Sequence, residues 1–598
     1  MLNPPAFKMP DISRLGIAHI SLALVGLMWV LPFLYYYHAY PLTTFYQEWG
    51  AAVLGLCAGG FLLGRKYWLQ PEIPRIVLLP VSMMMLALLQ YLLGKVIYFD
   101  QSLLYALYML WAALLMMLGH ALREELGLPL LATVLAVFLL AGTELNALAG
   151  ILQHYRWHTF LDSVVTSKNS AAVYGNMAQP NHYANYISMG LVSLGLLRMR
   201  LRTWQVVLLA APLLFVMVLS GSRSSWLYLL SMAALAYIWQ RRDITCRHLL
   251  HYTLALLLGF GLMHWVVQLP WFAGATTGSL TSMQRLAAED NTGSIRLYLW
   301  HEAWLIFSQF PIFGAGLGQF AWEHFQLAPV LKATYITGLY NNAHNLVMHI
   351  AAEMGLAGLL LLFGTLGMWI RQGVRKQISL YHWWGYAVLL VLGIHSMLEY
   401  PLWYSYFLGV AAILLGVMDG GTYRLEMRLL GRLYVVTLLL LGTLTLVQLQ
   451  LGYRQLERAL SPRQKMVEGK TTAQLMREGL IELHGYPLMQ PFAQLFFNNW
   501  IEVSAEELDK KIALNERAMK FVPISSVVYR RAYLLALSNR QEEAQLQIER
   551  AIWSYPGDFL TQKKDLNALE QKDPEHFSSL VKFAIQKNEE YLIAVSTK

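Results

Sequence analysis

YNNAHNLVMHIAAEMGLAGLL, Tyr340 to Leu360, is the stretch on which the reading of this chain turns. A polar run opens an apolar helical stretch directly after the longest non-apolar loop between apolar runs, and His344 stands on the threshold. An ionisable group at such a boundary is costly unless partners or chemistry hold it there. Chemistry is therefore expected at His344, with a solvated interfacial histidine as the plain alternative. On both sides of this stretch the sequence is close to continuous membrane: of 598 residues, 57% are apolar and 14% charged. That composition belongs to a membrane protein rather than to several soluble domains.

Working outward, runs long enough to cross hydrocarbon occur near residues 15–34, 47–64, 75–95, 102–120, 128–148, 183–199, 204–221, 225–240, 248–268, 346–370, 383–398, 402–419 and 431–452, about 13 spans in all. The first run lacks a cleavage pattern and is expected to be retained as a span. With the N-terminus in the cytoplasm, the loops carrying Arg65 and Lys66, Arg198 to Arg202, Arg241 to Arg247, Arg371 to Lys376 and Arg424 to Arg432 all fall on the cytoplasmic side, as the positive-inside rule requires. The basic balance, formal net charge +9, thus reads as topology, and no basic block with interleaved aromatics points to nucleic acid. Two cysteines, Cys57 and Cys246, cannot build a disulfide framework or a metal cluster.

The same topology puts residues 153–181, the turn 221–225, the loop 268–342, the turn 399–401 and everything after Gly452 on the outer face. After Gly452 the pattern becomes soluble and mixed in charge. From Leu508 to Phe559, alanines and large apolar residues recur at helical spacing, with Pro523 and Pro556 punctuating the helix ends. This tail resembles tetratricopeptide-type helical hairpins, with a plain helical bundle as the alternative. The expected organisation is an all-α, polytopic transmembrane helical bundle over 1–452, a large outer loop with an interfacial helix over 269–343, and a helical domain over 453–598.

Four outer patches carry candidate groups. QPNHYANY begins with Gln179, Asn181 and His182, neutral hydrogen-bonding groups at a helix start. SGSRSSW presents Arg223 among hydroxyls; it either snorkels toward headgroups or offers its two-pronged guanidinium to a phosphate. SIRLYLWHEAW places Arg296 at the head of a helix with Trp300, Trp304 and Phe307 on an apolar stripe, expected to lie in the interface. LEYPLW brings Glu399 and Tyr400 to the same face, Glu399 as an acid, a base, an orienting partner of His344 or a solvated carboxylate. The glycines Gly314, Gly316 and Gly318 mimic a phosphate loop but lack its strand and helix, so a turn is expected. HEAWL at His301 has no second histidine for zinc, His344 and His349 point to different helix faces, and HWWGYA falls on the cytoplasmic side. No metal and no cofactor are expected.

Two arginines and a histidine at an outer membrane boundary suit a reaction whose leaving group is already good. A lipid-linked pyrophosphate needs its developing charge stabilised by fixed cations, and a histidine near its ordinary pKa can take the proton of an attacking hydroxyl.

The serial order of SGSRSSW, then R-x3-W with P-x2-G-x-G-x-G, then AHNLVMHIAAEMGLAG resembles the O-antigen ligase and Wzy polymerase superfamily. QPNHYANY, EYPLW and the helical tail make the chain resemble its bacterial protein O-oligosaccharyltransferases of the pilin-glycosylating, PglL type. The resemblance implies en bloc transfer of a glycan from undecaprenyl pyrophosphate to a serine or threonine of a periplasmic, pilin-like protein, by a multi-pass enzyme of the bacterial inner membrane. It implies His344 as the essential loop histidine, Gln179 and Tyr400 as substrate-binding residues, and Arg223 and Arg296 as the pyrophosphate-binding arginines, with Arg285 as a rival to Arg296. Ligation of O-antigen to lipid A core and repeat-unit polymerisation are the nearest alternatives. The tail, a groove for an acceptor segment, favours a protein acceptor. A transporter or flippase would show midplane charges and repeated halves, and neither is evident.

Overall fold

The computed structural model describes residues 16–69, 71–168, 170–272, 274, 292–374, 378–424, 427–460 and 471–597. Arg285, Arg375 and Lys376 lie outside the described residues. The described chain is helical nearly throughout; its two strands, Glu72–Pro74 and Thr422–Arg424, form one antiparallel ribbon with Ile73 opposite Tyr423. Each apolar run marked out above falls on a helix. Among the described residues, seven helices are long and apolar enough to cross a membrane by length and composition: Ile17–Leu34, Arg75–Leu92, Phe99–Leu126, Leu128–Tyr155, Ile244–Val266, Leu346–Gly373 and Leu429–Leu460. Thr203–Leu219 and Ser405–Met418 are shorter apolar helices. The protein is an all-α, multi-pass membrane protein.

Packing groups the chain into two compact units, one of Met1–Ser82, Leu107–Asn291 and Leu361–Leu446, the other of Met83–Ala106, Thr292–Leu360 and Val447–Lys598. In the first unit, the helices Leu128–Tyr155 and Pro180–Leu197 pack along small residues. A Cβ on Gly142 would run into the Tyr186 hydroxyl, one on Gly150 into that of Tyr183, and one on Gly190 into Thr143. Lipid gives apolar helices little reason to associate, so close backbone approach and interhelical hydrogen bonds must do it. Tyr183 donates to the Asn146 carbonyl at 3.1 Å and Tyr186 to the Trp29 carbonyl at 2.8 Å. The tryptophans of HWWGYA belong to this core: Trp383 and Trp384 are fully buried, and Trp384 Nε1 donates to Ser193 Oγ at 3.1 Å.

In the second unit, the helix that begins at Leu346 is broken at Gly355, whose φ of 64° and ψ of −159° leave the helical region. A break in a membrane helix frees backbone groups that hydrocarbon cannot satisfy. Here the loop 311–318 satisfies them. Leu356 N donates to Pro311 O at 2.8 Å and Ala357 N to Ile312 O at 3.0 Å, while Ala315 N donates to Ala352 O at 2.9 Å and Gly316 N to Glu353 O at 3.1 Å. Gln90 completes the splint, donating to Phe313 O and Glu353 O, both at 2.7 Å, and accepting from Leu317 N at 3.1 Å. The glycine spacing is therefore a turn, and Gly314, at φ 70°, holds a left-handed conformation directly against Glu353 backbone.

The tail folds as successive helices. Leu508–Phe521 pairs with Ser525–Leu537, which pairs with Gln541–Ser554, and Phe559–Lys572 pairs with Pro574–Ser596. The alanines at helical spacing are its core: Ala518, Ala532, Ala536, Ala544 and Ala551 are fully buried. Pro523 and Pro556 follow helix ends, as a residue without an N–H should.

Gly314→Ala must hold a left-handed residue, at about 1–2 kcal/mol, and push a Cβ into the Glu353 carbonyl. It is expected to melt ~2–4 °C below wild type in detergent, at about 2 °C per kcal/mol for a unit of this size, while Gly364→Ala, whose Cβ meets nothing, melts with wild type. Equal melting of all three would mean that loop 311–318 does not splint the break.

Candidate active site

The first unit gathers three of the four candidate patches. Gln179 is the N-cap of the helix Pro180–Leu197, its side-chain oxygen accepting from His182 N. This places Asn181 and His182 in the first turn with divergent tasks. Asn181 Nδ2 donates to Glu399 Oε1 at 2.7 Å, and Asn181 Oδ1 accepts from Ser222 Oγ at 2.9 Å. One amide thus ties QPNH to the turn SGSRSSW and to LEYPLW. Glu399 is 3% exposed, so the solvated-carboxylate alternative does not hold. A buried carboxylate needs donors, and removing one costs about 1.5–3 kcal/mol.

Arg223 precedes the helix Ser224–Arg242. Its turn bends through Gly221, at φ 65°, and Ser220, Ser222, Ser224 and Ser225 around it are all buried, whereas Arg223 itself is half-buried. Arg223 is thus flanked along the chain by four buried serines. Behind this layer runs a buried chain. His182 Nδ1 lies 2.8 Å from His395 Nε2, and His395 Nδ1 lies 2.9 Å from the Tyr228 hydroxyl. Two ring nitrogens at that distance share one proton, so the donors run in one direction along Tyr228, His395 and His182. Tyr404 and Tyr400 stand edge-on to His182, with ring centroids at 5.2 and 6.0 Å. Burial raises the pKa of the Tyr400 hydroxyl, a hydrogen bond with Tyr404 draws it back, and the Glu399 carboxylate adds a smaller upward push. At neutral pH Tyr400 is a hydrogen-bond donor.

The second unit holds His344 and Arg296. His344 takes a left-handed φ of 48°, and its backbone N donates to Asn342 Oδ1 at 3.0 Å. Asn345 Oδ1 accepts from Val347 N at 3.0 Å and Met348 N at 3.1 Å, capping the helix that starts at Leu346. The polar run YNNAHN therefore folds on its own amides, with Ala343 fully buried and His344 half-buried. His349, by contrast, is buried against Glu353, with Nε2 at 3.2 Å from Oε2. Arg296 lies in the first turns of the helix Thr292–Gln309 and is half-buried. That helix packs inward through Leu299, Ala303 and Ile306, and Trp304, 57% exposed, lies on its outward side next to Phe307.

The residue reasoning did not single out His395, Tyr228, Ser222 or Tyr404. Nor did it single out Glu302, the residue after the discounted His301. Glu302 is 0% exposed and is bound by His324 Nδ1 at 2.9 and 3.1 Å. The Tyr340 ring stands 5.5 Å from that of His324, so this pair buttresses the start of the His344 segment. A lone histidine or carboxylate in an apolar run was the available signal.

Three family models match along the chain: one described as protein glycosylation ligase over residues 173–197, one as O-antigen ligase over 206–363, and one as the C-terminal part of a virulence-factor membrane-bound polymerase over 383–568. The General O-oligosaccharyltransferase of Acinetobacter baylyi is 26% identical over 427 residues, covering 69% of this chain and 71% of that protein. The chain resembles the protein-glycosylating branch of the O-antigen ligase superfamily. Gln179, Asn181 and His182 fall in the glycosylation-ligase match, Arg223, Arg296 and His344 in the O-antigen ligase match, and Glu399, Tyr400 and His395 in the third.

In this ligase-like site the Asn181 amide is the joint of three motifs. Asn181→Asp keeps its shape but sets a second carboxylate against Glu399, and the repulsion is relieved when one of the two binds a proton. The variant is expected to melt well below wild type near pH 8 and to recover part of the difference near pH 5; a pH-independent difference would show that Asn181 and Glu399 are not in contact.

Proposed function

We propose that this chain, a membrane glycosyltransferase by its family matches, transfers a preassembled glycan en bloc from undecaprenyl pyrophosphate to serine or threonine hydroxyls of periplasmic, pilin-like proteins at the outer face of the bacterial inner membrane. The observation that carries the reading is the single amide, Asn181, which bonds both Ser222, next to Arg223, and Glu399, next to Tyr400. It supports treating three separately matched stretches as parts of one apparatus.

In the reaction, the acceptor hydroxyl oxygen attacks the anomeric carbon, the bond from that carbon to the diphosphate oxygen breaks, and undecaprenyl diphosphate leaves with the bonding pair. Arg223 and Arg296 are assigned to the charge that accumulates on the leaving diphosphate. Fixed guanidiniums do this without reorganising at the moment of bond breaking. His344 is assigned to the hydroxyl proton, which it accepts as the new glycosidic bond forms. Tyr400, held protonated, and the amides Gln179 and Asn181, with His182, supply hydrogen bonds for the substrate's phosphates or sugar, and Glu399 orients Asn181. The helical tail is assigned to holding the acceptor protein.

The matches to O-antigen ligase and to a membrane-bound polymerase support a second reading with the same donor chemistry and a sugar hydroxyl as acceptor.

Intact-mass spectrometry of a pilin-like protein coexpressed with this chain and a lipid-linked glycan pathway decides between them. The expected spectrum shows the added glycan with wild type and none with His344→Ala. Glycan on lipopolysaccharide and none on the protein would favour the second reading. Arg223→Lys keeps the charge and loses the fork, and is expected to lower kcat about 10- to 100-fold. A wild-type rate would remove Arg223 from the leaving-group role.

A further inference from the structure

Outside the residues so far assigned a role, the first unit contains an open cleft of about 740 Å³, within the usual range of small-molecule sites, about 300–1,000 Å³. One wall is the loop after the first apolar helix, with Tyr36, Tyr37 and His38; the other is the loop 156–178, with Asp162, Ser167 and Tyr174. Pro180, which opens the helix bearing Asn181 and His182, also lines it. Both loops fall on the outer face in the topology read from the charges.

The walls are locked before any ligand arrives. Asn176 is 4% exposed and its side chain donates to Leu34 O at 2.7 Å and Val164 O at 2.8 Å while accepting from Thr166 N at 3.0 Å. Thr166 Oγ1 donates to Tyr36 O at 2.9 Å, and Gln153 Nε2 donates to Thr166 O and Gly175 O, both at 2.7 Å. His38 spans Thr43 O at 3.1 Å and Asn176 O at 2.8 Å. Preorganisation of this kind lowers the ordering cost of binding.

It also decides the ligand class. The carbonyls of Leu34, Tyr36, Val164 and Thr166 already accept from side chains, which takes them from an extended peptide that would pair along the walls. What faces the cleft is aromatic rings, hydroxyls and a carboxylate. Tyr36 and Tyr37 are 40% and 45% exposed, so their rings are accessible from the cleft. The Asp162 carboxylate is held ionised by hydrogen bonds from Thr159 N and His158, ready to accept from a pair of vicinal hydroxyls. Ring faces against the apolar side of a pyranose, with acceptors at its rim, are the chemistry of carbohydrate recognition. The volume admits a few sugar units rather than one.

We propose that this cleft binds the glycan of the lipid-linked donor, gripping sugars beyond the one attached to the diphosphate. The proposal rests on the transfer reading above and adds to it a subsite for glycan length.

The test uses the full chain in nanodiscs, with the polyprenyl diphosphate oligosaccharide extracted from the source organism and the same carrier trimmed to one sugar. Tyr36→Ala/Tyr37→Ala is expected to raise KM for the oligosaccharide donor about tenfold, with kcat unchanged and the single-sugar donor unaffected. Tyr36→Phe/Tyr37→Phe, which keeps the rings, behaves as wild type. An equal change for both donors, or none for either, overturns the proposal. The oligosaccharide released from its carrier by mild acid provides a second arm, read by saturation-transfer NMR. Transfer of saturation in wild type and its loss in the alanine pair support the cleft even if neither donor is turned over, in which case the transfer reading alone fails. No saturation transfer in wild type overturns the cleft.

Discussion

A polar group that loses its partner inside a bilayer has no water to turn to, and the cost is several kcal/mol for each such group. That constraint governs the second unit. The helix break at Gly355 exists because loop 311–318 and Gln90 replace the hydrogen bonds it gives up. The loop in turn lies where it does because Gly314, Gly316 and Gly318 accept left-handed conformations that other residues resist. The helix whose N-terminus His344 introduces is therefore fixed within that unit at two places, by its own Asn345 cap and by the splint ten residues on. A base that must meet an incoming hydroxyl at hydrogen-bond range needs such rigidity, because a displacement of about 1 Å can cost ~100-fold in rate.

The same rule shapes the first unit in a different way. There the buried polar groups satisfy one another across motifs distant in sequence: Ser222, Asn181 and Glu399 in one set, Tyr228, His395 and His182 in another. Each set places a side chain that the transfer reading uses beside one that it does not. The second member orients the first, and a network of this kind is worth more satisfied than the sum of its pairs. Gln179 shows the limit of role assignment by motif alone, since its side-chain oxygen already accepts from His182 N.

How much of this was legible follows from what each signal measures. Apolar run length measures whether a helix can span hydrocarbon, so every expected span fell on a helix. Alanine spacing likewise exposed the tail's core. Motif order pointed to Asn181, Arg223, His344 and Glu399 because each sits at a polar interruption of an apolar run, and of these the structure bonds Asn181 to Glu399. His395 and Tyr228 sit inside such runs, where one polar residue changes the hydropathy little and its partner lies 213 and 167 residues away respectively. Glu302 was passed over because the test applied to HEAWL was a metal-ligand spacing, and its actual partner, His324, is on another helix. Long-range pairing is a tertiary property, and a local pattern carries no trace of it.

The tail shows why a domain's role cannot be read from composition alone. As a soluble helical segment after the last span it looks detachable, a holder for the acceptor. Within the second unit, however, it is bonded to the chain leading to His344. Gly338 N donates to Ser554 O at 2.7 Å, the Tyr591 hydroxyl donates to Thr334 O at 3.4 Å, and Lys332 stands over the Trp553 ring at 5.6 Å. Phe325 and the tail's apolar residues share one core. Gly338 O meanwhile faces His324 Nε2 at 3.4 Å, the other side of the pair that buttresses Tyr340. Removing the tail would leave Gly338 and Thr334 without these partners six and ten residues before His344 and would expose Phe325 and its neighbours. Loss of activity on truncation would thus follow from a disturbed His344 segment as readily as from a lost acceptor groove, and only substitutions on the tail's exposed face, which leave these bonds in place, separate the two.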